Sequence, residues 1–167
     1  DHRGNVATHT GERCFPEAGS FLGDSFCTQA NMMARGTVWG AMAVAYQSAN
    51  GDLAQRLLAA LDAAQAEGGD IRGKQSAALL VVDQEWTRIP LVDLRVDHDP
   101  RPLAELHRLL RLHRAYTAEY EIVDHVEAID TERAYQLVKR IRQWAPDEPY
   151  LQYLCALHLA GHLDRWD

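Results

Sequence analysis

Cysteine is scarce in this 167-residue sequence, and no long apolar run occurs in it. The three cysteines, Cys14, Cys27 and Cys155, cannot all pair within one chain, and their spacing fits neither a zinc site nor a CxxC redox pair. A reducing compartment, the cytoplasm, is therefore the expectation. The longest purely apolar stretch, Ala77 to Val82, is far shorter than the roughly 20 residues of a membrane-spanning helix. Basic residues are in the minority, 17 Lys and Arg against 24 Asp and Glu, and the formal charge of −7 opposes non-specific binding of nucleic acid or anionic lipid. Neither polyanion is an expected partner. No HExxH string is present, and neither a metal nor a cofactor is expected.

What is present is ordinary globular composition, 47% apolar and 25% charged, which excludes disorder and fibrous repeats. Asp1 to Asn5 reads as a hairpin-type turn leading into Val6-Ala7-Thr8-His9-Thr10, whose alternation suits a half-buried strand. A turn implies a strand before it, so the chain is expected to begin inside a fold. Gly19 to Gly23 reads as a loop and Ser25 to Met32 as a second strand. From Thr37 the period becomes helical to Ala49, and Asn50-Gly51 stops it. Asp52 caps a second helix, with Leu53, Leu57, Leu61 and Ala64 on one face, which ends at Gly68-Gly69. A polar loop, Asp70 to Ser76, opens into the best central-strand candidate, Ala77 to Val82. Leu91 to Asp97 alternates strictly enough to be its partner. Pro100 and Pro102 start a helix reaching about Tyr120.

Beyond Tyr120 the pattern is wholly helical: Thr131 to Trp144, a break at Ala145-Pro146-Asp147-Glu148-Pro149, then Tyr150 to Ala160. The break chemistry is that of a tetratricopeptide (TPR) junction, with Ala134, Leu137, Ile141, Leu151, Leu154, Ala156 and Leu159 giving each helix a sticky face. The expected domains are residues 1–120 and 121–167.

Several side chains invite a chemical reading. Asp70 and Arg72 stand two apart on a Gly-containing loop, where opposite charges can grip the amino and carboxylate ends of an amino-acid-like ligand, with Gln75 and Ser76 adding hydrogen bonds. An Asp-Arg pair that merely fixes the loop is the competing reading. His158 and His162 have the four-residue spacing of two metal-binding imidazoles, with Asp164 nearby, but no glutamate lies between them, and a helix end is the better reading. Asp97-His98-Asp99 reads as a solvated strand end. Cys14 and Cys27 read as buried structural thiols rather than reactive ones. Arg101, His107, Arg108, Arg111, His113 and Arg114 form a basic stripe that reads as the solvent face of their helix.

Thr10-Gly11-Glu12-Arg13-Cys14, Thr28-Gln29-Ala30-Asn31-Met32-Met33, the run Gly51 to Leu61 and above all Gly68-Gly69-Asp70-Ile71-Arg72-Gly73-Lys74-Gln75-Ser76-Ala77-Ala78 resemble a bacterial family of unknown function, DUF1028. That family is assigned to the N-terminal-nucleophile (Ntn) hydrolase clan. Val92 to Asp97 leading into Pro102-Leu103-Ala104-Glu105-Leu106 extends the resemblance to about Tyr116, some two thirds of the chain. The resemblance implies an α+β fold, the second part of a four-layer αββα sandwich, with a small TPR-like helical hairpin at the C-terminus. It also implies amide hydrolysis by an N-terminal Thr, Ser or Cys using its own α-amine as base. Asp1 is no such nucleophile, so the chain is expected to be inactive alone, with the catalytic residue outside it.

On that resemblance Asn31, with Gln29 beside it, is the candidate polarising donor for an oxyanion; a strand polar group satisfied by a neighbouring loop is the alternative. The leading expectation is a fragment of an Ntn-type amidohydrolase acting on a small amide or peptide. The rival expectation is a non-catalytic scaffold, its sandwich a vestigial binding domain, that recruits a protein partner or a glycan through the helical tail. Homo-oligomerisation through an open sheet edge or the tail is the third.

Overall fold

The structure, a computed structural model, describes residues 3–83, 89–124 and 130–161, in two compact units, Asp1–Leu106 and His107–Asp167. In the first unit the best-defined local signal is the start of α2 (Leu53–Ala66). The Asp52 carboxylate accepts the Gln55 backbone N–H at 3.0 Å, while the Gln55 side chain accepts the Asp52 N–H at 3.1 Å. This reciprocal box satisfies two donors that a helix start otherwise leaves without partners. The helix packs against α1 (Val38–Ser48), and small side chains on both, Ala43, Ala54 and Ala60, are buried. Arg56 fastens the pair: its Nε donates to the Tyr46 carbonyl at 3.0 Å and its guanidinium lies 4.2 Å from the Tyr46 ring centre.

Two antiparallel hairpins pack on these helices. In one, β1 (Gly19–Leu22) pairs with β2 (Cys27–Ala30), Gly19 opposite Ala30 and Leu22 opposite Cys27, and packs on α1. Phe26 reaches the Tyr46 ring, 4.6 Å between centroids, and the buried Thr28 hydroxyl donates to the Trp39 carbonyl at 2.6 Å. In the other, β3 (Ala77–Val81) pairs with β4 (Val92–Val96), Ala77 opposite Val96, and β3 packs on α2. Leu79, Val81, Val92 and Val96 are buried on one face while Ala78, Leu80, Asp93 and Arg95 are exposed on the other. Helix α3 (Pro102–Asp124) begins in this unit and runs on in the second.

In the second unit Ala115 and Ile122 of α3, Leu137, Val138 and Ile141 of α4 (Thr131–Trp144) and Leu151 and Cys155 of α5 (Pro149–Gly161) form one core. Burial pushes the Cys155 thiol above its ordinary value, which keeps it protonated and unreactive. Glu119 and His158 are buried together, with Nε2 3.7 Å from Oε1.

The architecture is α+β, as the sequence predicts, and several elements differ. Val6 to Thr10 belongs to no ladder among the described residues. Val6 and Thr8 are half-buried between exposed neighbours, so the period of two is real, and the Ser20 hydroxyl donates to the Thr8 hydroxyl at 2.9 Å in place of backbone pairing. Gly19 to Leu22, expected as loop, is a strand because β2 supplies its ladder. The second strand is shorter than expected: Ser25 and Met32 adopt φ of 61° and 59°, which no strand continues through. Among the described residues Ala77 to Val81 is one half of a two-stranded sheet and not a central strand. The expected domain boundary at residue 120 falls inside α3, which continues to Asp124. On α5 Ala156 is exposed, and Cys155 and His158 take the buried positions. Asp1 and His2 of the opening turn lie outside the described residues.

Gly19 is required by packing. A Cβ there would stand 2.6 Å from Cζ2 of Trp39, inside van der Waals contact with a rigid ring. Gly19→Ala is expected to lower unfolding free energy by about 1–3 kcal/mol through overpacking, measured by urea denaturation. An unchanged midpoint would show that the indole does not cover this strand.

Candidate functional site

The loop after α2 is shaped by the glycine pair that ends the helix. Gly69 N–H donates to the Ala64 carbonyl at 3.0 Å and Gly68 N–H to the Gln65 carbonyl at 3.1 Å, with Gly68 at φ 112° and Gly69 at φ 64°. This is the Schellman closure, and it needs a residue without a Cβ penalty at the left-handed position. The chain then runs antiparallel to the segment after β2: Ala34 N–H meets the Gly69 carbonyl and Ile71 N–H the Met32 carbonyl, both at 2.9 Å, around a bridge between Met33 and Asp70. Two distant loops are thereby held side by side.

Asp70 organises the next turn. Its Oδ1 accepts the Arg72 backbone N–H at 2.8 Å, and its carbonyl accepts Gly73 N–H at 3.0 Å. Arg72 closes a fork on the same carboxylate, Nε to Oδ1 at 2.9 Å and Nη2 to Oδ2 at 2.6 Å. These bonds from the Arg72 side chain and backbone lower the Asp70 pKa from 3.8 to about 2, and the same pairing raises that of Arg72. Farther on, Asp99 N–H donates to the Gln75 carbonyl at 2.9 Å and fastens the loop to the start of α3, where Asp99 Oδ1 accepts Arg101 N–H at 2.6 Å.

The loop forms one side of an open cleft of about 1030 Å³ within the first unit. Its lining includes all six candidate residues: Gln29 and Asn31 from β2 and its exit, and Asp70, Arg72, Gln75 and Ser76 from the loop. Met33, Met42, Leu61 and Ala64 give it an apolar floor. The volume is at the upper end of small-molecule sites, about 300–1,000 Å³, and an apolar floor with convergent polar groups is their usual composition. A smaller cavity of about 360 Å³ adjoins it between β2 and β3, lined by Cys27, Tyr46 and Leu80 among others.

A family of unknown function, DUF1028, matches residues 1–106. The chain belongs to this family. A solved DUF1028 structure, protein SPO2555 from Silicibacter pomeroyi, is 36% identical to it with a TM-score of 0.56, over 65% of this chain. The chain spans 46% of that protein's length. No curated protein matches.

The DUF1028 cleft also contains Gln65 and Lys74, which sequence reasoning passed over, and His98, which it read as part of a solvated strand end. Gln65 continues the α2 stripe four residues beyond Leu61, so the helical period held the signal. Lys74 sits in the middle of the loop already singled out, and His98 is brought in by the tie between Asp99 and Gln75. The other candidates lie elsewhere. Cys14 and Cys27 are exposed rather than buried, because Cys14 sits in a turn and Cys27 on the open face of β2. His158 is buried in the second unit, while His162 and Asp164 lie outside the described residues. Among the described residues no group of three or more His, Cys, Asp or Glu could hold a metal ion, and no helix is long and apolar enough to cross a membrane.

The Asp70 carboxylate gives a direct measurement. A group that binds its proton less readily folded than unfolded stabilises the fold above its unfolded pKa of about 3.9, and the contribution is lost as pH falls through about 2. An NMR titration of the Asp70 side-chain carboxyl carbon is expected to have its midpoint near 2, and Arg72→Ala is expected to return it to the ordinary 3.8. A wild-type midpoint at the ordinary value would show that the fork does not form in solution.

Proposed function

We propose that this cleft is the ligand-binding wall of an Ntn-type amidohydrolase acting on a small amide or peptide. The observation that carries the reading is the convergence of Gln29, Asn31, Asp70, Arg72, Gln75 and Ser76 on one cleft from segments far apart in sequence. Amide hydrolysis needs a donor aimed at the oxygen that becomes negative in the tetrahedral intermediate, and the Asn31 carboxamide, with Gln29 beside it, takes that role. Gln75 and Ser76 supply the complementary hydrogen bonds to the substrate amide, and the apolar floor takes its side chain. The attacking Thr, Ser or Cys belongs to a longer form, comparable in length to the solved relative. The reading includes the αββα sandwich as the complete fold, a TPR-like character for α4 and α5, and no cofactor or metal.

The test uses a longer form of the protein. Intact mass is expected to reveal a processed N-terminal Thr, Ser or Cys, and a panel of N-acyl amino acids is expected to be cleaved. Asn31→Ala is expected to lower kcat about 10²- to 10³-fold with little change in KM. Absence of turnover from a correctly processed chain would remove the hydrolase reading, and undiminished turnover in Asn31→Ala would remove that residue's role.

A second reading, a scaffold that recruits a protein or a second copy through the helical tail, rests on α5. That helix contains no Asp, Glu, Lys or Arg from Pro149 to Gly161, yet Tyr150, Tyr153 and Leu157 are exposed on it. An apolar stripe opposite an already buried face is a docking signature. Tyr153→Glu is expected to abolish co-elution of any partner in size-exclusion chromatography while leaving the melting temperature within a few degrees; unchanged co-elution would dismiss this face.

A further inference from the structure

The charges in the cleft specify more than an amide. Asp70 supplies a carboxylate to the lining, and Arg72 holds it in a fork, so its acceptor oxygens are committed to a neighbour and not to a ligand cation. Arg72 itself is 68% exposed at the side chain and keeps Nη1 uncommitted to that fork. Lys74, two residues on, also lines the cleft and makes no ion pair among the described residues. The other polar side chains of the lining are the carboxamides of Gln29, Asn31, Gln65 and Gln75, the Ser76 hydroxyl and the His98 imidazole, none of which adds a negative charge. In a chain of net charge −7 the cleft therefore has a local excess of positive charge. Low-dielectric walls such as its methionine and leucine floor strengthen that field at the ligand.

We infer that the ligand of this cleft carries a free carboxylate, which Lys74 binds with the outer edge of Arg72, so that the favoured class is an N-acyl amino acid or a peptide with its C-terminus in the cleft. A ligand with a free amino group in that position meets two cations and no available carboxylate. The inference rests on the reading of the cleft as an amide site and adds the charge of what it takes.

The test is binding to the 167-residue chain itself, followed by ligand-observed NMR. The probes are N-acetyl-leucine and its uncharged N-methylamide, which share the acyl and side-chain groups. The acid is expected to bind roughly tenfold more tightly, the scale of one charge-assisted hydrogen bond. Lys74→Glu is expected to remove that preference without changing the affinity for the N-methylamide, and Lys74→Arg is expected to keep it. Equal affinity for the two probes, an undiminished preference in Lys74→Glu, or no binding of either probe would overturn the inference. Binding is read without turnover, so the two ideas fail separately. Selective binding of the acid with no cleavage by the longer form leaves this inference standing and removes the hydrolase. Cleavage that disregards the carboxylate does the reverse.

Discussion

The packing of α1 against α2 is the constraint on which the first unit depends. An isolated two-stranded hairpin is marginal in water, since one ladder does not offset the entropy of ordering two strands. The described residues of this unit form two such hairpins, and each packs on one member of the helix pair. The capping box at Asp52 and Gln55, the buried alanines and the Arg56 contacts to Tyr46 therefore act beyond the helices themselves. Loosening them would release β1–β2 and β3–β4 together. The Phe26 ring on Tyr46 and the Thr28 hydroxyl on the Trp39 carbonyl show the same dependence from the sheet side.

The cleft follows from how α2 stops. A helix that ended without Gly68 and Gly69 would leave its last carbonyls to water and send the chain in an unspecified direction. The Schellman closure instead aims residues 69–71 at the backbone of residues 32–34, and the bridge at Met33 and Asp70 fixes their register. From there the Asp70 fork holds the turn, and the Gln75 carbonyl to Asp99 bond holds the far end. The loop needs this tying at both ends because its side chains are largely exposed and no core fixes them.

Much of this unit was legible in the sequence because its signals are local. The Asp52 cap, the Gly-Gly stop and the strict alternation of Leu91 to Asp97 each act within a few residues, and each appears in place. The stripe Leu53, Leu57, Leu61 and Ala64 does not, since Leu53 is exposed, the other three are half-buried, and Ala54, Leu58 and Ala60 are the buried residues of α2. What was not legible depends on partners far away in sequence. Gly19 to Leu22 has no strand composition and becomes one through β2. Val6 to Thr10 has the composition and lacks a ladder among the described residues. The direction of Asn31 and Gln29 toward the loop was accessible only through family resemblance, since nothing in Thr28 to Met33 says which loop it will face. In the helical unit Ala156 and Cys155 differ by one position, or 100° on a helix, so a sequence stripe read slightly off centre exchanges a buried residue for an exposed one.

The sequence left two readings of Asp70 and Arg72 open, a grip on both ends of a ligand or a strut within the loop, and the geometry makes these unequal. A carboxylate that already accepts a backbone N–H and a guanidinium fork has its strongest acceptor directions filled, and a ligand amine would have to displace a bidentate pair to reach it. The arginine is less committed, because a guanidinium has donors on both edges and the fork takes one. Pairing therefore makes the two residues asymmetric toward a ligand: the acid is spent on structure, while the base remains half available beside Lys74. A strut of this kind also fixes the Arg72 guanidinium before any ligand arrives. Such pre-ordering lowers the entropy cost of binding, which is where an exposed loop would otherwise lose affinity.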